Sequence, residues 1–234
     1  MKKSLAILFL ATVALWSGAL QQSRQLIVVT TKGWNDNSGT LQRYEQDAKG
    51  WHKIGEAIPI KLGRNGLGWG IGLHEIPQDA KYIKKEGDGR SPAGIFTLKQ
   101  AFGYAPFVVE YPYEVYRATD HCVDDPHSKY YNKIVDSTKI TPDYHSKEHM
   151  KFPKDYYKYG IVVNHNHIDE SGAIPGAGSC IFLHIKKIPT AGCTVMNEDQ
   201  IKTIIHWLDA EKHPLLVQGP EGIVSNLFKK LTVR

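Results

Sequence analysis

The sequence predicts a single, mainly β domain with a small number of helices. The chain of 234 residues contains 21 glycines and 12 prolines spread along its length, a distribution typical of many turns between short strands. Hydrophobic residues make up 41% of the chain and aromatic residues 10%, which suffices for a core and is atypical of disorder. Short runs of β-branched residues alternate with turn-forming segments. These features favour a β-rich globular fold over a helical bundle.

The N-terminal segment has the features of a cleaved secretory leader, which we assign to residues 1–19. Two lysines precede an apolar run at residues 5–16, and small residues follow it at 17–19. A retained membrane anchor is the alternative, but the run is shorter than the roughly 20 residues that span a bilayer. The sequence therefore predicts an exported protein of the periplasm or cell envelope. Its folded domain covers residues 24–234, with no membrane span after cleavage.

Three strands are predicted early in this domain. Residues 26–30 are rich in β-branched side chains, and residues 40–46 partly alternate between apolar and polar. The turn-forming residues 35–39 lie between them, so the two runs predict a hairpin. Residues 51–60 continue as a third strand.

The middle of the chain is dominated by turns and loops. Residues 63–72 are dense in glycine, which is typical of a mobile loop and also permits the close backbone approach found at the rim of a cleft. Residues 87–96 are a second turn-rich segment that leads into an apolar run. Residues 111–159 are long, polar and without periodicity, but their many aromatic side chains predict an ordered lid or insert.

The last third of the chain contains the best-defined helix. Residues 197–212 have a good N-cap in Asn197, and Gln200 completes the spacing of a capping box. Their apolar face consists of Ile201, Ile204, Ile205 and Leu208. Pro214 marks the predicted end of the helix.

Further elements flank this helix. Residues 161–163 and 180–185 are strand candidates, the second apolar enough to be buried on both faces. Residues 215–218 predict a last strand, and residues 221–231 predict a short amphipathic helix after it.

Charge and cysteine content give the first indications of function. The formal net charge is +5, two of these charges belong to the leader, and the remainder is too weak to indicate a nucleic-acid partner. Three cysteines follow the leader, namely Cys122, Cys180 and Cys193. In an oxidising compartment they are either three buried small hydrophobic residues or one disulfide and one reactive thiol.

The segment from residue 176 to 196 carries a candidate nucleophile and base. His184 lies in an apolar strand, and Cys193 follows nine residues later, after a turn that contains Pro189 and Gly192. An imidazole can take the proton of a thiol or hold it in an ion pair, and a strand that returns through a turn can bring two such residues together. No carboxylate neighbours His184, so a backbone carbonyl is expected to orient the ring. The Gly192 amide is a candidate donor to an oxyanion.

Four motifs together resemble the YkuD-type L,D-transpeptidase catalytic domain, in a branch with short His-to-Cys spacing. In chain order they are GDGRSPAGIF, VDDPHSKYYN, GSCIFLHI and PTAGC. The resemblance extends over residues 26–218 and implies a β-sandwich-like domain with flanking helices. It implies that Cys193 is the nucleophile, that His184 is the base, and that the carbonyl of Ile185 orients the imidazole.

The resemblance also implies an activity on peptidoglycan stem peptides, with no cofactor and no metal. The nucleophile attacks the carbonyl after the L-centre of diaminopimelate, releases D-Ala and leaves a thioester. An amine from another stem then gives a cross-link, whereas water would make the enzyme an L,D-carboxypeptidase. Substrate contacts are assigned to Asn164, Asn166, Gly178, Ser179, Thr190 and Tyr131, although a purely structural role is an alternative for several of them.

Several residues depart from the family pattern. Thr190 and Ala191 stand where the commoner motif has Ser and His, and Val195 stands where many members have Arg or Asn. Substrate orientation is therefore expected to differ, while the thiol–imidazole pair is retained. Cys122 and Cys180 occupy positions that are not cysteine in this branch, and two unusual cysteines together suggest a disulfide between them.

Two other classes of protein remain as alternatives. A zinc peptidase could use His145 and His149 with further histidines, although neither HExxH nor another strong ligand spacing is present. A non-catalytic wall-binding module could stack exposed aromatic residues on sugars. Its candidate residues are Tyr111, Tyr113, Tyr130 and Tyr131.

Overall fold

The computed structural model describes residues 21–232, and the predicted leader at residues 1–19 lies outside the described residues. The strands of the first half are β1 (Gln25–Thr31), β2 (Ser38–Asp47), β3 (Gly50–Lys61), β4 (Leu67–Trp69), β5 (Ser91–Gly103) and β6 (Tyr113–Val115). Those of the second half are β7 (Asp120–Val123), β8 (Ile134–Asp136), β9 (Lys147–His149), β10 (Tyr159–Val163), β11 (Phe182–Ile185), β12 (Thr194–Met196) and β13 (Leu215–Pro220). The helices are α1 (Glu198–Trp207) and α2 (Glu221–Thr232), with short 3₁₀ turns at Asp155–Tyr157 and Ala210–Lys212. The mainly β class is confirmed.

The main sheet closes on itself. Its strand order is β10-β11-β12-β3-β2-β1-β13-β5, and β5 pairs back to β10, so these eight strands form a barrel-like ring. Strands β4 and β6 each pair with β5 outside that ring. This arrangement differs from the sandwich-like fold expected from the resemblance. The physical reason is the length of β5, whose N-terminal part pairs with β13 and whose C-terminal part pairs with β10.

Successive side chains of β11 point to opposite faces of the sheet and lie in two different environments. Leu183 belongs to a buried cluster that also contains Ile201 and Ile204 of α1. Phe182 points to the other face, where Cys193 and Tyr157 are part of a second buried cluster. Because successive side chains of a strand face opposite sides, β11 separates the packing of α1 from the candidate site.

Helix α1 begins as predicted and ends early. The Asn197 side chain accepts a hydrogen bond from the Gln200 N–H, and the Gln200 side chain accepts one from the Asn197 N–H, which confirms the capping box. The helix stops at Trp207 rather than at residue 212, and Leu208 is extended. Asp209 then accepts a hydrogen bond from the Glu211 amide, which starts a separate 3₁₀ turn. Asp side chains favour such local bonds, and this competes with continuation of the helix.

The segment 111–159 is an ordered insert. It contains β6 to β9, of which β8, β7 and β9 form a separate three-stranded antiparallel sheet. Each of these strands has only three or four residues, so no alternating pattern is long enough to be recognised in the sequence. Among residues 21–232, no helix is long and apolar enough to cross a membrane.

The glycine-dense segment 63–72 is largely buried, and its middle forms a strand between turns and bends. It contributes β4, which is buried and pairs in parallel with β5. Gly66 has a φ of +85°, and a side chain there would collide with the Trp34 carbonyl. Glycine is needed at this position for both conformation and space.

Candidate active site

The sheet brings Cys193 and His184 to one face. In the parallel pairing of β11 with β12, His184 lies opposite Val195, so Cys193 lies at the level of Phe182. Side chains two residues apart on a strand share a face, so the thiol and the imidazole lie diagonally across neighbouring strands. Both are buried, with 8% and 4% of their surface exposed, and both line one cavity of about 530 Å³.

The imidazole of His184 is held through one ring nitrogen. Its Nδ1 lies 3.1 Å from the Ile185 carbonyl oxygen and 3.1 Å from that of Tyr156. Carbonyl oxygens only accept hydrogen bonds, so Nδ1 carries the proton and Nε2 carries the lone pair of a base. The Tyr157 ring meets the imidazole edge-on with centroids 4.8 Å apart, which further fixes its orientation. The structure thus adds two residues of the insert to the expected Ile185 contact.

The thiol of Cys193 is held by backbone groups at the start of β11 and just before it. The Phe182 N–H donates to Sγ at 3.3 Å, and Sγ donates to the Cys180 carbonyl at 3.5 Å. An amide donor stabilises a thiolate, whereas a carbonyl acceptor stabilises the neutral thiol. In this structure the proton of the thiol is therefore directed to Cys180 rather than to the imidazole.

Burial keeps both groups neutral. Desolvation raises the pKa of Cys193 to about 12, and the charge of Glu148 adds to this increase. Desolvation lowers the pKa of His184 to about 4. Because both shifts oppose the charged forms, the resting pair is a thiol and a neutral imidazole rather than an ion pair. Of the two possibilities left open by the sequence, this favours proton transfer to the base during attack.

The turn at residues 190–193 is stabilised by hydrogen bonds between its own residues. The Thr190 hydroxyl donates to the Cys193 carbonyl at 2.6 Å and accepts from the Gly192 N–H at 3.1 Å. Ser91, from the GDGRSPAG motif, donates to the same Cys193 carbonyl at 3.5 Å. Thr190 thus stabilises the turn. The Gly192 N–H would have to release the Thr190 hydroxyl before it could donate a hydrogen bond to an oxyanion.

The two asparagines assigned to substrate contact lie away from the cavity lining. Asn166 is fully buried, and its amide bonds to the backbone of Ile174 and Gly178. Asn164 donates to Thr97 and Glu170. Asn166 thereby satisfies backbone groups of a loop that cannot pair within the sheet, which is the structural alternative considered above.

Glu86 connects the remaining predicted residues. Its carboxylate accepts hydrogen bonds from the Tyr131 and Ser179 hydroxyls, each at 2.6 Å. The Gly178 N–H donates to the Tyr131 oxygen at 3.1 Å, and Gly178 itself has a φ of +98°. Of these residues, Ser179 and Glu86 line the cavity. Tyr131 and Gly178 do not line it, but Tyr131 bonds to Glu86 and Gly178 bonds to Tyr131.

The cavity also contains charged residues. Asp124 belongs to the VDDPHSKYYN motif, whereas Glu148, Lys84, Lys154 and Lys186 lie outside the four motifs. Burial raises the pKa of Glu148, and the neighbouring charge of Asp124 raises it further. The insert is far from the His-to-Cys segment in sequence, so no spacing indicated this contact.

Glu148→Gln is expected to move the pH profile of Cys193 alkylation to lower pH. The Glu148 charge raises the pKa of the thiol, and glutamine removes that charge without changing the size of the side chain. We expect alkylation to become about twofold faster or more at a fixed pH below the midpoint. The measurement is the rate of iodoacetamide labelling against pH.

The control for this prediction is Glu56→Gln, since Glu56 is exposed on β3. A Glu148→Gln profile that coincides with the control, or moves to higher pH, would contradict the assigned electrostatic effect.

The other two cysteines are bonded to each other. Cys122 and Cys180 form a disulfide with their Cα atoms 5.9 Å apart, and Cys193 is the free cysteine of the described chain. The bond joins β7 of the insert to the segment that leads into β11. It is the pairing that the two departures from the family pattern suggested.

The two alternative classes find less support among the residues they would use. Within residues 21–232, no group of three or more His, Cys, Asp or Glu side chains is arranged to hold a metal ion. Tyr111 and Tyr131 are buried, with hydroxyls bonded to the Leu98 carbonyl and to Glu86. These two tyrosines are therefore not available to stack on a sugar.

Fold and site together define a barrel-like β domain with a buried thiol–imidazole pair at a charged cavity. No protein-family model matches the chain, and no curated protein matches it. It is similar to the solved structure of Bd1075 from Bdellovibrio bacteriovorus, with a TM-score of 0.41, 14% identity and coverage of 89% of this chain and 54% of that one.

A second similar structure is the helical cell shape determining protein Pgp2 from Campylobacter jejuni. The TM-score is 0.39 at 13% identity, with coverage of 89% of this chain and 55% of that one. This chain therefore spans about half the length of each of the two proteins.

Proposed function

We propose that this protein is an exported cysteine acyltransferase that acts on peptidoglycan stem peptides by L,D-transpeptidation. The observation that carries the proposal is the placement of Cys193 and His184 on one face at a shared cavity, with the lone pair of the imidazole on Nε2. The choice of substrate rests on the resemblance of the four sequence motifs to the YkuD-type domain. Export to the periplasm or envelope is supported by the leader and by the disulfide.

In the acylation step, Sγ of Cys193 attacks the carbonyl carbon after the L-centre of diaminopimelate. The thiol proton passes to Nε2 of His184 as the S–C bond forms, and the resulting imidazolium donates it to the departing amine of D-Ala. The C–N bond breaks and a thioester remains. Since burial opposes a preformed ion pair, attack and proton transfer are expected to occur together.

In the second step, an acceptor amine attacks the thioester. His184 removes a proton from that amine and returns it to the sulfur as the S–C bond breaks. The product is a cross-link between stems. If water replaces the amine, the same site performs L,D-carboxypeptidation, so the two activities differ only in the acceptor.

The charged cavity is compatible with such a substrate. Its lining includes the basic residues Lys154 and Lys186 and the acidic residues Asp124 and Glu148. The Lys84 ammonium is already paired with Asp88. A stem peptide ends in a carboxylate and carries an amino group on its diaminopimelate side chain. A partly desolvated cavity with both basic and acidic side chains is complementary to a ligand that carries both a carboxylate and an ammonium group.

The decisive experiment is mass spectrometry of peptidoglycan fragments after incubation with the pure protein. New cross-linked fragments that have lost D-Ala would support transpeptidation, and trimmed stems alone would assign carboxypeptidation. Unchanged fragments, with retention of the protein on the polymer, would reject the enzyme and support a binding module. The Cys193→Ala variant is the control for contaminating activity.

A further inference from the structure

The disulfide includes a residue that contacts the proposed nucleophile, since the Cys180 carbonyl accepts a hydrogen bond from Cys193 Sγ. It joins Cys122, at the centre of the small sheet of the insert, to Cys180, two residues before β11. Cys122 pairs with Ile134 on β8 and with Glu148 on β9. Cys180 lines the same cavity as Cys193. The bond therefore ties the framework of the insert to the backbone beside the thiol.

The backbone at Cys180 has an unusual conformation. Its φ is +54°, in the left-handed region that residues other than glycine rarely adopt. Such a conformation persists only where the surroundings enforce it. Here the disulfide holds the side chain, and the fully buried Asn132 accepts a hydrogen bond from the Cys180 N–H at 3.0 Å.

This conformation determines what the thiol of Cys193 contacts. The Cys180 carbonyl accepts the hydrogen bond from Sγ at 3.5 Å, and the Phe182 N–H donates to the same sulfur at 3.3 Å. The sulfur is thus held between two backbone groups on either side of Ile181. If Cys180 relaxed to a negative φ, its carbonyl would turn away and the hydrogen bond that it accepts from Sγ would be lost.

We infer that the Cys122–Cys180 disulfide is a positioning element for the nucleophile, which holds Cys180 in the left-handed conformation so that its carbonyl fixes the Cys193 thiol. The inference rests on the proposed role of Cys193 as nucleophile. The disulfide then acts on the active site and not only on the stability of the fold. Turnover is therefore expected to require that Cys122 and Cys180 are oxidised.

The test is a matched pair of double variants, Cys122→Ala/Cys180→Ala and Cys122→Ala/Cys180→Gly. Both lack the disulfide, but glycine adopts a positive φ without strain and alanine does not. In both variants Cys193 is the only cysteine, because the chain contains three. Labelling of Cys193 with iodoacetamide can therefore be followed without interference and without knowledge of the substrate.

The alanine variant is expected to lose turnover by roughly ten- to a hundredfold, since the sulfur is less well placed for attack. Its labelling profile should move to lower pH, because a hydrogen bond that favours the neutral thiol has been lost. The glycine variant should recover most of the turnover and the wild-type labelling profile. A role in stability alone would lower the thermal midpoint of both variants and leave both profiles unchanged.

Each outcome decides the inference. Different profiles for the alanine and glycine variants would support it, as would a glycine variant that folds with the wild-type labelling profile where the alanine variant does not fold. Identical wild-type-like profiles, or failure of both variants to fold, would overturn it and leave a stabilising crosslink. If wild-type protein has no activity on peptidoglycan, the proposed function fails, whereas the labelling comparison still gives a separate result for the disulfide.

Discussion

Cys193→Ala is expected to abolish turnover on peptidoglycan while the protein remains folded. In the proposed reaction the sulfur forms the thioester, so its removal deletes the atom that would bind the acyl group covalently, and a loss on the order of 10⁴-fold or more is expected. The effect on stability should be small by comparison. The side chain is small and lies at the edge of a cavity, so truncation to alanine should cost roughly 1 kcal/mol.

The measurement is product formation together with the mass of the intact protein after incubation with substrate. Wild-type protein should show an added acyl mass under single-turnover conditions, and Cys193→Ala should not. Circular dichroism and thermal unfolding establish that the variant is folded. An alanine variant that still produces cross-linked or trimmed stems would reject the proposed nucleophile.

Elements with local signals could be predicted from the sequence alone. The capping box at Asn197 is encoded by two side chains three residues apart, and β1 is encoded by a run of β-branched residues. Closure of the barrel was not predicted. It depends on pairing of β5 with β10 across a polar insert, and no property of either segment specifies this partner.

The pair at the centre of the candidate site is predicted by its short spacing together with the resemblance of the surrounding motifs, but its surroundings are not. The Tyr156 carbonyl reaches His184 from 28 residues away, and Glu148 reaches the cavity from a strand of three residues. A backbone carbonyl has no signature in the sequence. An acidic residue in a polar insert resembles any solvated surface residue.

Polar residues within or near the motifs are the hardest to assign from the sequence. For Asn166 and Tyr131 the sequence allows substrate contact or a structural role, and in the structure both are buried and bond to backbone groups or to Glu86. A buried polar side chain can bond to a ligand or to a backbone N–H or C=O group that has no partner within the sheets. Only the three-dimensional structure shows which backbone groups lack such a partner.

His184→Ala is expected to reduce acylation by roughly 10²- to 10⁴-fold, the usual contribution of a general base. The thiol is neutral because burial raises its pKa, so loss of the proton acceptor removes the route to a sulfur nucleophile. Burial lowers the pKa of His184 to about 4, so the imidazole remains a base as the pH falls from 7 towards that value. Wild-type acylation should therefore persist through pH 5 to 6 and decline only as the pH approaches about 4, whereas a base with an ordinary pKa of about 6.5 would already be protonated.

Two variants separate loss of the base from loss of structure. Alanine leaves the carbonyls of Tyr156 and Ile185 without the Nδ1–H donor, whereas the amide of His184→Gln can still donate to them. Both variants lack a basic nitrogen, so both should lose acylation, and only the alanine variant should lose additional stability. His52→Ala, at an exposed position on β3, is the matched control. A glutamine variant that acylates as fast as wild type between pH 5 and 7 would show that another group accepts the thiol proton.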